Sequence, residues 1–227
     1  MSELSNELVH AIQTRDVDRA AALLVAGANP NEPGRSRYGN GGDLPPLHAA
    51  IAELEALDAI DPYEGEPEGP IDLLVLLLRY GAKVKGWEVD KEGDPLLDAV
   101  GTNRADVVRM VLAAGADPNV ENDEGVSPLR ACAEKGSVEI ARTLLLCGAA
   151  KTINQWGGPG AMTALGLAVR GLHVEMVKLL LAYGADPRAK DVDGLDALDC
   201  LPFADIQDNP THESRVLEIR EALRSHG

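Results

Sequence analysis

The chain has 227 residues, with 21 Lys and Arg against 37 Asp and Glu, which gives a formal net charge of −16. This excess of acids argues against nucleic acids and anionic membrane surfaces as partners, because both are bound through clustered cations. With only one Phe, two Trp and four Tyr, the chain must build its core from Leu, Val, Ile and Ala.

The cysteines indicate a reducing compartment, and the N-terminal and apolar segments indicate a soluble intracellular protein. Cys132, Cys147 and Cys200 are an odd number without the paired spacing of a metal site. The N-terminal segment lacks the basic and apolar regions of a signal peptide. The longest apolar run, Leu73 to Leu78, is far below the roughly 20 residues that span a bilayer. We therefore expect a soluble cytoplasmic protein without metal or cofactor.

The first predicted elements are two helices, near residues 3–13 and 16–26, that would form an N-terminal cap. The second helix ends before a Gly-Ala pair, and the same signal returns along the chain, at Gly27, Gly81, Gly115, Gly148 and Gly184. These glycines are 54, 34, 33 and 36 residues apart. A signal with this period indicates a repeat architecture, with extra residues in the second unit.

Each later Gly-Ala pair follows a predicted helix. These helices cover residues 71–80, 105–114, 138–147 and 174–183, and their apolar residues lie at offsets 0, 3, 6 and 7. That spacing places the apolar side chains on one helix face, and the glycine then ends the helix in a left-handed conformation. The pairs predicted to form a buried ladder are Leu77-Leu78, Val111-Leu112, Leu144-Leu145 and Leu180-Leu181.

A shorter helix is predicted before each of these longer ones. Pro46, Pro95 and Pro128 fall in its first turn, where the missing N–H of proline is not needed. Residues suited to an N-cap stand just before this turn, and they are Asp94, Ser127, Thr163 and Asp196. Each unit is therefore predicted to be a turn, a short helix, a tight loop, a longer helix and a glycine stop.

The repeated segments resemble those of the ankyrin repeat family. The resemblance is carried by Leu44-Pro-Pro-Leu-His-Ala-Ala50, Ser127-Pro128-Leu129, and the runs that begin at Gly27, Gly115 and Gly184. It implies an all-α ankyrin-repeat solenoid of about six helix-turn-helix units with β-turn or hairpin tips. The histidine of the family's motif occurs only at His48, and the corresponding positions elsewhere are Leu97, Arg130, Gly166 and Asp199.

The repeat predicts one domain over residues 1–227. Its N-terminal cap unit covers 1–29, and its C-terminal cap unit covers 188–227 and ends in an amphipathic helix with Thr211 as a candidate N-cap. The units between the caps cover residues 30–84, 85–119, 120–152 and 153–187. Because no single unit can bury its apolar face, we expect each to be stabilised by its neighbours.

The second unit carries an acidic insertion. Its first helix is predicted to extend to Ile60, and a loop follows over residues 61–70. Residues 53–69 hold seven acids and no base. We predict that Glu64, Glu66 and Glu68 meet a basic partner; the alternative is a solvated insertion that keeps the protein soluble.

Three aromatic residues, Tyr38, Trp87 and Trp156, fall in turns rather than in core helices. Aromatic rings in turns are typical of interfaces; the alternative is that each ring covers the neighbouring turn. The ankyrin resemblance implies binding through turn tips and the concave face of the first helices. The other residues at such positions are Glu88, Asp90, Glu121, Asp123, Glu124, Glu134, Lys135, Gln155, Arg170, Lys190, Asp191 and Asp193.

The sequence offers no constellation for catalysis. None of the five His lies beside a Cys, Ser or acid in a catalytic spacing, and His173 is expected to cap a helix. We therefore predict a non-enzymatic module, monomeric when free, that binds a basic protein partner. The alternative is an immunity protein or antitoxin that neutralises a basic toxin such as a nuclease. An enzyme or metal protein on a repeat scaffold is the contrasting hypothesis.

Overall fold

Helices make up most of the chain that the computed structural model describes, which is residues 2–37, 43–58, 71–85, 93–158, 160–202 and 210–226. The helices are α1 Glu3–Gln13, α2 Val17–Val25, α3 Pro46–Asp58, α4 Asp72–Arg79, α5 Pro95–Gly101, α6 Ala105–Ala113, α7 Pro128–Lys135, α8 Val138–Leu146, α9 Ala164–Arg170, α10 Val174–Ala182 and α11 Pro210–His226. The predicted all-α class is confirmed.

Two short antiparallel hairpins form tips between the helices. Strand β1, Gly34–Arg35, pairs with β2, Asp43–Leu44, and strand β3, Trp156–Gly157, pairs with β4, Met162–Thr163. Both hairpins precede a first helix, α3 and α9 respectively. The hairpin tips that the ankyrin resemblance implies are therefore present at these two positions.

The chain divides into two compact units, Met1–Ala116 and Asp117–Gly227. We call these the first unit and the second unit, and each contains several of the repeats that the sequence predicts. In the first unit, α1 packs on both α2 and α3, α3 packs on α4 and α5, and α2 packs on α4. In the second unit, α7 packs on α8 and α9, α8 packs on α10, and α10 packs on α9 and α11. In each unit, first helices therefore pack on first helices and second helices on second helices, as stacked repeats require.

The core is aliphatic, as the composition predicts. In the described residues, the largest fully buried side chains are mostly leucines and isoleucines, such as Leu8, Ile12, Leu77, Leu129 and Leu144, and no aromatic ring is buried among them. Of the predicted ladder pairs, both members are buried in Leu144-Leu145 and Leu180-Leu181, whereas Leu78 and Leu112 are half-buried. The second unit therefore buries its ladder more completely.

The predicted glycine stops are confirmed at the ends of the second helices. Gly148, after α8, has φ +97°, and Gly184, after α10, has φ +90°. The N–H of the residue after Gly184, Ala185, donates to the carbonyl of Leu180 at 3.0 Å. This bond satisfies a carbonyl that the end of the helix leaves free.

An asparagine side chain links consecutive Gly-Ala turns inside each unit. Asn31 donates from Nδ2 to the carbonyl of Gly81 at 2.9 Å, and its Oδ1 accepts from the N–H of Lys83 at 2.7 Å. In the second unit, Asn154 likewise donates to Gly184 and accepts from Asp186. We call this contact the asparagine bridge. Asn119 forms its donor half with the carbonyl of Gly148 at 3.0 Å.

The predicted N-caps form the expected hydrogen bonds. Asp94 accepts from the N–H of Leu96, Ser127 from that of Arg130, and Thr163 from that of Gly166. Asp196 accepts from the N–H groups of Leu198 and Asp199, but residues 197–200 form a turn and not an α-helix. Helix α11 begins at Pro210, so Thr211 lies inside the helix rather than at its cap.

Candidate partner-binding site

The tips of the second unit are tied to each other by backbone hydrogen bonds. The N–H of Gly158 in the hairpin donates to the carbonyl of Glu124 in the preceding tip at 2.8 Å. The following tip is joined at the other side, where the N–H of Val192 donates to the carbonyl of Ala161 at 3.3 Å. Three consecutive tips therefore form one edge of this unit, and their described residues are 121–126, 155–158 with 160–163, and 190–196.

The side chain of Arg130, in α7, connects two of these tips by hydrogen bonds. The side chain is only 2% exposed. Its guanidinium donates to the carbonyl of Gln155 at 3.1 Å, to the carbonyl of Gly125 and to the carboxylate of Glu121. A buried cation is stable when it is paired and hydrogen-bonded in this way. Arg130 therefore fixes the β3–β4 hairpin against the tip before it.

Arg130 occupies the position of the family's motif histidine, and it performs an equivalent task. In the first unit, His48 lies with Nε2 2.9 Å from the carbonyl of Gly93, in the approach to the following helix. In the second unit, Arg130 reaches the carbonyl of Gln155 in the following tip. In the second unit this position therefore carries a charged side chain that donates to several acceptors.

A pocket of about 280 Å³ opens beside this arginine, between α7 and α9. Helix α7 contributes Arg130 and Glu134, helix α9 contributes Leu167 and Arg170, and the hairpin contributes glycines that include Gly157 and Gly160. We call it the Arg170 pocket, after the half-exposed guanidinium at its rim, which lies 3.5 Å from the carboxylate of Glu134. The pocket lies on the first-helix side of the unit, directly under the tips.

One hairpin glycine, Gly157, makes room for the guanidinium of Arg130, and another, Gly160, lies beside that of Arg170. A Cβ on Gly157 would lie 2.9 Å from Nη2 of Arg130 and 2.3 Å from the carbonyl oxygen of Gly125. A Cβ on Gly160 would lie 3.5 Å from Nη1 of Arg170. Both arginines therefore approach the same hairpin, Arg130 at Gly157 and Arg170 at Gly160. Glycine is required at position 157.

His173, in the loop between α9 and α10, contacts the C-terminal end of α7. Its Nε2 donates to the carbonyl of Glu134, in the last turn of α7, at 3.1 Å. The last carbonyls of a helix have no intrahelical partner, so this contact caps α7 from the loop before α10. The predicted capping role of His173 is therefore exerted on α7, whereas at the N-cap position of α10 its side chain forms no capping hydrogen bond.

The structure places most of the predicted partner-binding residues of this unit on its surface. The exposed ones are Glu121, Asp123, Glu124, Glu134, Lys135, Gln155, Trp156, Arg170, Lys190 and Asp193. Two of them, Glu134 and Arg170, meet at the pocket rim. The predicted residues Tyr38, Glu64, Glu66, Glu68, Trp87, Glu88 and Asp90 lie outside the described residues.

Asp191 and Lys190 shape their own tip. Asp191 is buried, and its carboxylate accepts from the N–H groups of Asp193 and Leu195, both at 2.9 Å. Lys190 donates to Asp196 at 2.9 Å, and this contact raises the pKa of the lysine and lowers that of Asp196. The charge of Lys190 is therefore matched within the tip.

Trp156 is the large aromatic side chain of this edge. Its backbone is held in the hairpin opposite Thr163, and its side chain is 52% exposed. Val192 and Leu195, in the next tip, are also exposed. The edge therefore combines apolar side chains with the three acids of residues 121–124.

Sequence reasoning missed the main structural residue of the site. Arg130 is identified in the sequence only as a departure from the histidine motif, and Gly157 only as part of a loop. The sequence contains a signal for both residues. For Arg130, it is a charged residue at a position that packs between repeats, which needs acceptors nearby. A glycine-rich turn one unit later is where such a large side chain finds room.

The thiols differ in their surroundings, which gives a direct test of the packing. Burial raises the pKa of Cys132 in α7 to about 12, and burial followed by nearby aspartates raises that of Cys200 to about 11. Cys147 is exposed. Because the thiolate is the reactive form, iodoacetamide at neutral pH should modify Cys147 first and Cys132 only after unfolding, as measured by peptide mass mapping. Equal rates for Cys132 and Cys147 in the native protein would contradict this packing of α7.

Two further features of the described residues concern metals and membranes. Within residues 2–37, 43–58, 71–85, 93–158, 160–202 and 210–226, no group of three His, Cys, Asp or Glu side chains is placed to hold a metal ion. In the same part of the chain, no helix has both the length and the apolar character that crossing a bilayer requires.

Stacked helix pairs, glycine stops and tips linked from one repeat to the next define the class of helical repeat proteins. A family model described as ankyrin repeats (3 copies) matches residues 68–155 and 96–191, which together cover more than half of the chain. The protein belongs to the ankyrin repeat family. Domains of this family generally mediate protein–protein interaction and are typically non-enzymatic.

Known proteins that are similar to this chain are mostly much longer. It is 38% identical over 104 residues, 45% of its length, to human SH3 and multiple ankyrin repeat domains protein 1. It is 25% identical over 198 residues, 84% of its length, to human transient receptor potential cation channel subfamily A member 1. The chain spans only 5% and 16% of these two relatives.

A solved structure with the same fold is that of the human ASB11 ankyrin repeat domain. The comparison gives a TM-score of 0.66 and covers 93% of this chain and 81% of that one. The two sequences are 24% identical, so this likeness concerns the fold.

Proposed function

We propose that this chain is a non-enzymatic module that binds a basic protein partner through the tips and the first-helix face of its second unit. The observation that carries the proposal is Trp156, a large aromatic side chain that is half exposed on a hairpin held by hydrogen bonds. Trp is enriched among the residues that contribute most to binding energy. The ankyrin family, whose domains generally bind proteins, supports the same conclusion.

The hairpin that carries Trp156 is held in place before any partner arrives. Arg130 donates to the carbonyl of Gln155, next to the tryptophan, and Gly158 donates to the tip before it. A surface that is already ordered loses little conformational entropy on binding. Trp156 is therefore well suited to contribute its full contact area to an interface.

The charge of the tips supports a basic partner. Asp123 and Glu124 lie exposed in a tip whose third acid, Glu121, is paired with Arg130, and the whole chain has a net charge of −16. Complementary charge accelerates encounter and excludes partners of the same sign. The acidic residues Glu64, Glu66 and Glu68 would add to the same field.

The tryptophan hypothesis is tested with two variants of the tagged protein. Proteins captured by the wild type from its native cell extract are identified, and the affinity of each is measured with purified components. Trp156→Ser should weaken the specific partner at least about tenfold, whereas Leu146→Ser, which changes an exposed side chain on α8, should leave affinity unchanged. A partner that binds both variants equally well would contradict a role for Trp156.

The charge hypothesis is tested by association rates. Glu124→Lys in the tip should slow association severalfold at low salt, and the difference should shrink as salt is added. The matched control is Glu139→Lys, which makes the same charge change on the exposed face of α8. Equal rates for the two variants would mean that the acidic tip does not steer the partner.

The acidity also supports the narrower alternative, an immunity protein or antitoxin. A basic toxin such as a nuclease has the charge that this surface would attract, and masking its active site would need only tight binding. The decisive measurement is an activity assay of the captured partner. Stoichiometric inhibition of a nuclease by the wild-type chain supports neutralisation, and a partner without toxic activity supports an adaptor role.

A further inference from the structure

We propose that the Arg170 pocket receives a carboxylate side chain, Glu or Asp, from the protein partner, so that Arg170 determines how the partner is aligned. The inference rests on the proposed function, because it assumes that the first-helix face meets a protein. Although the chain as a whole is acidic, the charged residues that line this pocket are two arginines and one glutamate. A basic partner would therefore be required to place one acid at this position.

The two arginines have different tasks in the pocket. The guanidinium of Arg130 is buried and donates to Glu121, Gly125 and Gln155, so its orientation is set by the protein. Arg170 is half exposed, and its ion pair with Glu134 has an N–O distance of 3.5 Å. Exposed pairs of this kind contribute little to stability. A carboxylate from a partner can therefore replace Glu134 at small cost.

The geometry of Arg170 suits a planar, two-oxygen ligand. A guanidinium binds a carboxylate through two parallel N–H···O bonds. Gly160 of the hairpin lies beside Arg170, since a Cβ at this position would be in ordinary van der Waals contact with Nη1, at 3.5 Å. The group is thus placed at the rim of the pocket and not extended into solvent.

The remaining walls suit the apolar stem of an acidic side chain. Leu167 from α9, Ala131 from α7 and Val126 from the tip line the same pocket. Its volume of about 280 Å³ is large enough to receive one side chain. A lysine in this place would lie beside the guanidinium groups of Arg130 and Arg170, with only Glu134 to pair with, and a glutamine would lack the charge that attracts Arg170.

The test uses three short peptides as probes and needs no natural partner. N-acetyl-Ala-Glu-Ala-amide is compared with the Gln and Lys versions, and binding is followed by the amide signals of Gly157, Gly158 and Gly160 in 15N-labelled protein. The Glu peptide should shift these signals with saturation, and the Gln peptide should bind about tenfold more weakly. The Lys peptide should produce no saturable shift.

Three variants distinguish a site from general attraction. Arg170→Gln should weaken the Glu peptide about tenfold, while Glu134→Gln, which removes the competing carboxylate, should strengthen it severalfold. Arg142→Gln makes the same charge change on the exposed side of α8 and should leave binding unchanged. Thermal melting of each variant verifies that it is folded.

The proposal is overturned if the Glu and Gln peptides shift the glycine signals equally, or if Arg170→Gln and Arg142→Gln weaken binding to the same extent. These outcomes are independent of the protein-binding hypothesis. Loss of partner capture in Trp156→Ser, together with no response to the Glu peptide, would retain the interface and remove only the carboxylate site.

Discussion

Replacing Arg130 by methionine is expected to destabilise the second unit by about 2–4 kcal/mol. The change leaves the carbonyls of Gly125 and Gln155 without this donor; because both are only part-buried, we take the lower part of the range for an unsatisfied polar group, about 1–2 kcal/mol for each. Glu121 is partly exposed and can be solvated, so we add nothing for it. The measurement is a urea titration followed by circular dichroism.

Two further substitutions make the Arg130 test specific. Arg142→Met removes an exposed arginine from the neighbouring helix and should change stability by less than about 0.5 kcal/mol. Arg130→His restores the residue of the family's motif, and we expect it to recover part of the loss, because His48 makes one such contact in the first unit. If Arg130→Met and Arg142→Met shift the urea midpoint alike, the guanidinium does not hold the tips.

Replacing Leu145 by alanine is expected to cost about 2–5 kcal/mol, the range for a buried leucine that leaves a cavity. Leu145 is 4% exposed in α8, whereas its neighbour Leu146 is 73% exposed. Leu146→Ala is therefore a matched control with the same chemical change and an expected effect near zero. Both free energies of unfolding are measured by urea titration.

The position of Leu145 gives a second comparison. Leu23 belongs to the N-terminal cap unit and is slightly less buried than Leu145. An end unit has a neighbour on one side only, so Leu23→Ala should cost less than Leu145→Ala. Equal losses would mean that the units are not stabilised mainly by their neighbours.

The helices could be predicted from the sequence because their signals are local. The apolar spacing, the N-caps and the glycine stop each act within one or two turns of the same helix, and the helices predicted near 3–13 and 16–26 are observed as Glu3–Gln13 and Val17–Val25. The C-terminal repeat differs from the others because residues 197–200 form a turn where the sequence predicts a short helix. Pro202 follows this turn, and a proline disfavours the helical conformation of the residue before it.

The candidate site could be predicted only in part, because it depends on contacts between neighbouring repeats. The exposure of Trp156 and of the acidic tip follows from their place in turns, which the repeat period sets. The roles of Arg130 and Gly157 depend on residues that are five to thirty-two positions away in sequence. No local pattern states which carbonyl a long side chain will reach, so the Arg170 pocket is visible only in three dimensions.

The asparagine bridge has a consequence for how this protein could change over evolution. The same Asn-to-Gly contact closes over 50 residues from Asn31 to Gly81, and over 29 residues from Asn119 to Gly148. Doubling the length of a flexible connection costs only about 0.6 kcal/mol. Segments between two bridges are therefore places where new recognition loops can be acquired, exchanged or grafted by an engineer while the pairing of adjacent repeats is preserved.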